Sequence, residues 1–91
     1  YRSRLGLAAI AWQRKDRQEA ERALGSVLSI YPGQPYANYL YSVASWQRGA
    51  LRTALAHAAR AAAENRRNKQ YQRWHEHIQG VLAGKPPLPG N

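Results

Sequence analysis

The side chains best able to bind a metal or move a proton are concentrated at His75-Glu76-His77. Two imidazoles beside a carboxylate are ligand types that zinc accepts. On a helix, however, residues two apart point to different sides, and helical zinc pairs use a spacing of four. His75 and His77 are therefore poor co-ligands, and the third histidine, His57, stands alone in the sequence. The five acids, Asp16, Glu19, Glu21, Glu64 and Glu76, include no pair suited to acid and base work. Gly6, Gly25, Gly49, Gly80 and Gly84 are dispersed rather than gathered into a phosphate-cradling loop. Cysteine is absent, which excludes disulfides and thiolate chemistry. The expectation is a chain with no catalytic residues, no metal and no cofactor.

Positive charge is the other chemical resource. Fourteen Lys and Arg, eleven of them Arg, face five Asp and Glu for a net charge of +9, and such a balance attracts anionic partners at long range. The cations cluster at Arg14, Lys15 and Arg17 and again at Arg66, Arg67, Lys69 and Arg73. Positive charge near a helix N-terminus slightly opposes the helix dipole, so the second cluster does not serve helix stability. An acidic protein, a nucleic acid or an anionic polysaccharide would neutralise it. No base-reading motif accompanies the charge, and the simplest reading is a solvated basic face. Binding of nucleic acid or polysaccharide through the arginine clusters is the lesser alternative.

Five helical segments position these groups. The first is expected from Ser3 to Arg14, with Leu5, Ala8, Ala9 and Trp12 at helical spacing. Asp16 with Glu19 three residues later forms an N-capping pair, so a second helix should start at Arg17 and end at Tyr31-Pro32-Gly33. Pro35 suits the first turn of a third helix bearing Tyr36, Tyr39, Leu40, Val43 and Trp46, which Gly49 ends. A fourth helix from Leu51 to Glu64 carries seven alanines between Ala54 and Ala63 and can pack closely. After Asn65-Arg66-Arg67-Asn68 a fifth runs from Lys69 to Leu82, and Gly84 stops it. The tail, residues 85–91, has three prolines in four residues and reads as an extended linker.

Ninety-one residues form one domain, and a chain this size buries only about 60–65% of its unfolded surface, which leaves a thin stability margin. No methionine is present and the chain starts inside a helical pattern, as expected of a fragment or processed form. No stretch approaches the roughly 20 apolar residues of a membrane span, and no signal peptide is visible. Absence of cysteine fits the cytoplasm and the bacterial periplasm equally. Richness in alanine and arginine is associated with bacterial sources.

Trp12-Gln13-Arg14 recurs as Trp46-Gln47-Arg48, each residue number rising by 34. Leu7/Tyr41, Ala20/Ala54 and Val27/Ala61 keep the same offset. Repeats of roughly 20 to 50 residues signal stacked arrays, because one helical hairpin cannot bury its apolar face alone. With Leu7-Ala8 and Tyr41-Ser42 as large–small pairs, Ala20 and Ala54 as small residues, Leu24 as a bulky one and Pro32 as terminator, the chain resembles the tetratricopeptide repeat (TPR) family. Arg4 and Asn38 stand where that family often has tryptophan, Ala11 and Ser45 where it has tyrosine, and Arg66 where a second proline would end the unit.

This resemblance implies an all-α solenoid of tandem helix-turn-helix repeats over residues 1–84. The repeats fall at about 1–34 and 35–68, and residues 69–83 form a third-repeat or capping helix. The fifth helix is fitted with a shift of about one residue, placing Trp74 and His75 as its large–small pair. The resemblance further implies a scaffold or adaptor whose concave groove holds a partner peptide or helix, as in bacterial assembly, secretion or export systems. Carried over by position, the groove-facing residues are Arg2, Leu5, Ala9, Trp12 and Gln13, then Tyr36, Tyr39, Val43, Trp46 and Gln47. Such a groove suits an acidic or apolar peptide, since Trp, Tyr and Arg are enriched at binding hot spots. Leu5 and Tyr39 occupy positions where some members place carboxylate-clamping polar residues, so that use is not implied. An apolar face of Trp74, Ile78 and Leu82 offers self-association through the C-terminal helix.

Overall fold

The computed structural model describes residues 2–84, with side chains from residue 5 onward. The expected tail at 85–91 and the side chain of Arg2 lie outside the described residues. Five helices follow one another: α1 (Arg2–Gln13), α2 (Arg17–Ile30), α3 (Pro35–Arg48), α4 (Leu51–Glu64) and α5 (Lys69–Leu82). Their ends fall within a residue or so of the positions where the capping and breaking residues place them. Consecutive helices pack on one another, and the connections are short enough to make neighbours antiparallel.

The turns show that the period of the sequence is also a period of the structure. In the α1–α2 turn the Lys15 amide donates to the Trp12 carbonyl and Asp16 to Ala11; in the α3–α4 turn Gly49 donates to Trp46 and Ala50 to Ser45. Each bond is the other displaced by one full repeat. Lys15 and Gly49 both adopt positive φ, 62° and 87°, which closes each helix with a left-handed residue. Only glycine does this without steric cost. Lys15→Gly is therefore expected to stabilise the fold by about 0.5–1 kcal/mol, and Gly49→Ala to destabilise it by about 1–2 kcal/mol. Thermal unfolding of the two variants checks this, and equal signs would contradict it.

The α2–α3 and α4–α5 turns match in the same way. Gln34 accepts the Ala37 amide and Asn68 accepts the Tyr71 amide through their side chains. The Asn38 amide group donates to the Pro32 carbonyl, and that of Gln72 donates to the Arg66 carbonyl. The start of α5 is thus in the unshifted register of the repeat, correcting the expected displacement onto Trp74 and His75. A slip appears only at its far end, where Ala83 stays right-handed and Gly84 takes φ 72°. Asp16 accepts the Glu19 amide at 3.3 Å, but its own amide goes to Ala11. Only half of the expected capping pair forms.

Two apolar clusters hold the layer together. Ala8, Leu24, Val27, Ala37 and Leu40 form the first, with Leu5, Trp12, Tyr39 and Tyr41 packed on it; Ala54, Ala58 and Ile78 form the second, covered by Trp46, Leu55 and Trp74. Small residues at Ala8, Ala11, Ser42 and Ser45 are all buried, which lets each first helix approach its second. Ser42 joins three helices: its hydroxyl donates to the Ala54 carbonyl at 2.6 Å and accepts from Trp74 Nε1 at 2.8 Å. Leu7, the large member of the first pair, is instead 61% exposed.

His57 ties α4 to α3. Asn38 uses its amide hydrogens on Pro32 and Gln34, so its Oδ1, 2.8 Å from His57 Nδ1, accepts and His57 donates. The Tyr41 ring lies 4.6 Å from the imidazole. Burial pushes the His57 pKa below 6.5. The unfolded chain then binds the proton first on acidification. Stability conferred by neutral His57 is present above about pH 6.5 and is lost as pH falls from there through the lower folded-state pKa. Thermal midpoints measured between pH 8 and 5 are expected to fall on the acid side, with a smaller fall in His57→Gln. Parallel curves for the two proteins would show that His57 is not responsible.

Candidate functional site

A shallow depression of about 480 Å³ is lined by Tyr39 of α3 and by Gln70, Arg73, Trp74 and His77 of α5. Aromatic packing shapes its walls. Tyr39 lies 4.9 Å from the Tyr71 ring and its hydroxyl accepts from Gln70 Nε2 at 3.0 Å. Trp46 meets Trp74 edge-on at 5.8 Å, and His77 stacks on Trp74 at 5.8 Å with an interplanar angle of 27°. Burial, reinforced by the neighbouring Tyr36 and Tyr39, raises the Tyr71 pKa above 10.0, so Tyr71 stays neutral. The resulting surface is an aromatic floor with the Arg73 guanidinium at hand. Such a surface can hold apolar side chains by contact and a carboxylate by charge.

The residues expected to line a groove are distributed unequally. Leu5 and Trp12 pack onto the first cluster, Ala9 is half-buried and Gln13 exposed. Tyr36 is exposed, Val43 is half-buried, and Trp46 covers the second cluster while its edge reaches Trp74. Gln47 shares a separate cleft with Arg17, Gln18, Glu21, Ala44 and Arg48 on the α2–α3 side. Of the ten, Tyr39 lines the α3–α5 depression, with Trp46 bordering it. The sequence reading does not place Gln70, Trp74 and His77 there, and it assigns Arg73 only to the basic cluster. A signal for them exists: Gln70, Arg73 and His77 are Tyr36, Tyr39 and Val43 displaced by 34. Shifting α5 by one residue conceals it.

The basic residues do not form one patch. Arg14, Lys15 and Arg17 sit at the α1–α2 turn and Arg66, Arg67 and Lys69 at the α4–α5 turn. Turns of these two kinds lie at opposite ends of antiparallel helices, about 20 Å apart for helices of this length. Among the described residues the ion pairs are Arg22–Glu19, Arg48–Glu21 and Arg60–Glu64, and none draws on either cluster. Ile78, expected on an exposed self-association face, is fully buried against Ala54 and Ala58. Val81 and Leu82 remain exposed on α5. Among the described residues no group of three metal-ligating side chains converges, and no helix is long and apolar enough to cross a membrane.

Comparison with known families agrees with the repeat geometry. A family model described as tetratricopeptide repeat matches residues 11–78. No curated protein and no solved structure gives a significant match. The matched segment is well over half of the 91 residues and spans both pairs of turns whose hydrogen bonds correspond one to one, and the chain belongs to the tetratricopeptide repeat family.

Proposed function

We propose that this chain is a non-catalytic adaptor that holds an acidic or apolar segment of a partner protein in the aromatic groove centred on α3 and α5. Tetratricopeptide repeats generally serve as non-enzymatic scaffolds for protein–protein interaction. One observation carries the specific reading: Tyr39, Gln70, Arg73, Trp74 and His77 share one depression, and all but Trp74 occupy groove positions of successive repeats. An apolar or aromatic partner side chain would lie over Trp74 between Tyr39 and His77, with Arg73 drawing an adjacent carboxylate. The alanine- and arginine-rich composition favours a bacterial source, and the family resemblance suggests an assembly, secretion or export system as the setting.

The test is capture of partners from lysate at several salt concentrations, followed by titration of the captured protein. A defined protein that is retained at high salt and released by Tyr39→Ala/Trp46→Ala supports the groove. Capture of nucleic acid or polysaccharide that disappears with salt and with Arg66→Ala/Arg67→Ala would replace this reading with an electrostatic one, since polyanion binding weakens steeply as salt rises.

A further inference from the structure

The cleft between α2 and α3 departs from the pattern of the repeat. It encloses about 380 Å³ and is lined by Arg17, Gln18 and Glu21 of α2 with Ala44, Gln47 and Arg48 of α3. The corresponding places one period of 34 later are Leu51, Arg52 and Leu55 of α4 with Ile78, Val81 and Leu82 of α5. There the fold uses them for packing: Ile78 is fully buried, and Leu55 covers the cluster that contains it. Apolar burial is the larger stabilising term, so arginine and glutamine at these places do not serve the helix interface. Positions that break a fold's own rule in this way tend to be functional ones.

Its charges are arranged to leave one cation over. Arg17 and Glu21 stand one turn apart on α2, the spacing at which opposite charges on a helix pair. Glu21 is instead committed across the interface, accepting from Arg48 Nη1 at 2.8 Å, and no carboxylate among the described residues pairs with Arg17. At the rim, Asp16 accepts the Glu19 amide and Glu19 lies 3.9 Å from Arg22, while Arg14 and Lys15 add positive charge at the adjoining turn. Gln18 and Gln47 are exposed and make no side-chain hydrogen bond among the described residues. Each carries an N–H donor and a carbonyl acceptor, the complement of a peptide group, and a guanidinium matches a carboxylate with two parallel bonds.

We propose that this cleft is a second binding site, for a short acidic segment of a partner protein. Arg17, with Arg48 beside it, takes a carboxylate of that segment, and Gln18 and Gln47 take the neighbouring peptide group. A bare phosphate would satisfy the guanidinium, but it is chiefly an acceptor and leaves the glutamine carbonyls unused. The cleft shares no lining residue with the α3–α5 depression, and its binding does not depend on the aromatic groove.

The test is amide NMR of the isotope-labelled protein titrated with a blocked tetraglutamate peptide, with inorganic phosphate at equal ionic strength for comparison. Saturable shifts are expected at the backbone amides of Arg17, Gln18, Gln47 and Arg48 and at the two glutamine side chains. Arg17→Gln should weaken binding about tenfold or more. Arg66→Gln/Arg67→Gln, which removes more charge from the other end of the helices, should change it by no more than about twofold, and Tyr39→Ala should leave it unaltered. Shifts spread over both basic turns, equal losses in the two arginine variants, or phosphate binding as tight as the peptide would overturn the proposal. Shifts confined to Tyr39, Gln70 and Trp74 would also overturn it, while leaving the groove reading intact.

Discussion

Ile78→Ala is expected to lower stability by about 2–4 kcal/mol, whereas Ile10→Ala is expected to have a much smaller effect, as surface substitutions usually do. The two residues have the same side chain at equivalent places in the repeat. Ile78 is 0% exposed and fills the space between Ala54 and Ala58. Small alanine side chains cannot close over the hole, so both the transfer term and the cavity term apply. Ile10 is half-exposed and leaves no enclosed cavity. For a chain of this size each kcal/mol shifts Tm by about 4–8 °C, so the pair should differ by about 6 °C or more. Because a small domain has little stability to spare, Ile78→Ala should also free α5 and dismantle the groove. Equal losses at the two positions would mean that α5 is not held to α4 as described.

Loss of the groove's aromatic wall is the second large effect. Tyr39→Ala with Trp46→Ala is expected to weaken binding of the captured partner by about 30-fold or more, because losing one aromatic hot spot costs about 2 kcal/mol or more and neighbouring losses do not simply add. Tyr39 carries the hydroxyl that orients Gln70, and Trp46 backs Trp74 and His77. Tyr39→Phe should retain most of the ring contact and cost far less, which separates shape from hydrogen bonding. Arg73→Ala should reduce affinity more modestly and flatten its dependence on salt. Titration calorimetry, with helicity checked by circular dichroism, measures each. Undiminished affinity in a folded Tyr39→Ala/Trp46→Ala protein would remove the groove from consideration.

The legibility of the groove was uneven for a physical reason. The groove positions come from the family resemblance, and the period of 34 carries those of Arg2, Leu5 and Ala9 onto Tyr36, Tyr39 and Val43. The next step, to Gln70, Arg73 and His77, changes residue character entirely. An apolar or aromatic pattern gives way to a polar one, and periodicity of hydrophobicity no longer reports the register. Hydrogen bonds at the α4–α5 turn, with Asn68 standing for Gln34 and Gln72 for Asn38, restore it. His77, read from the sequence as a poor metal ligand, acquires its role only from the indole it stacks upon.

By itself the sequence determined the five helices, their limits and the period of the repeat. Those properties depend on local interactions: Asp16, Gln34 and Asn68 capping amides three residues away, Pro35 starting a helix, and Gly49 accepting a left-handed turn. Tertiary structure decided which of the equivalent residues are buried. Ile10 and Ile78 cannot be told apart by local pattern, nor can Ser42 from an ordinary surface serine, because burial depends on which helix lies across from each. It also separated the two basic clusters and gathered Tyr39, Trp74 and His77 into one surface, since distances between helices are set by side-chain volume at their crossings.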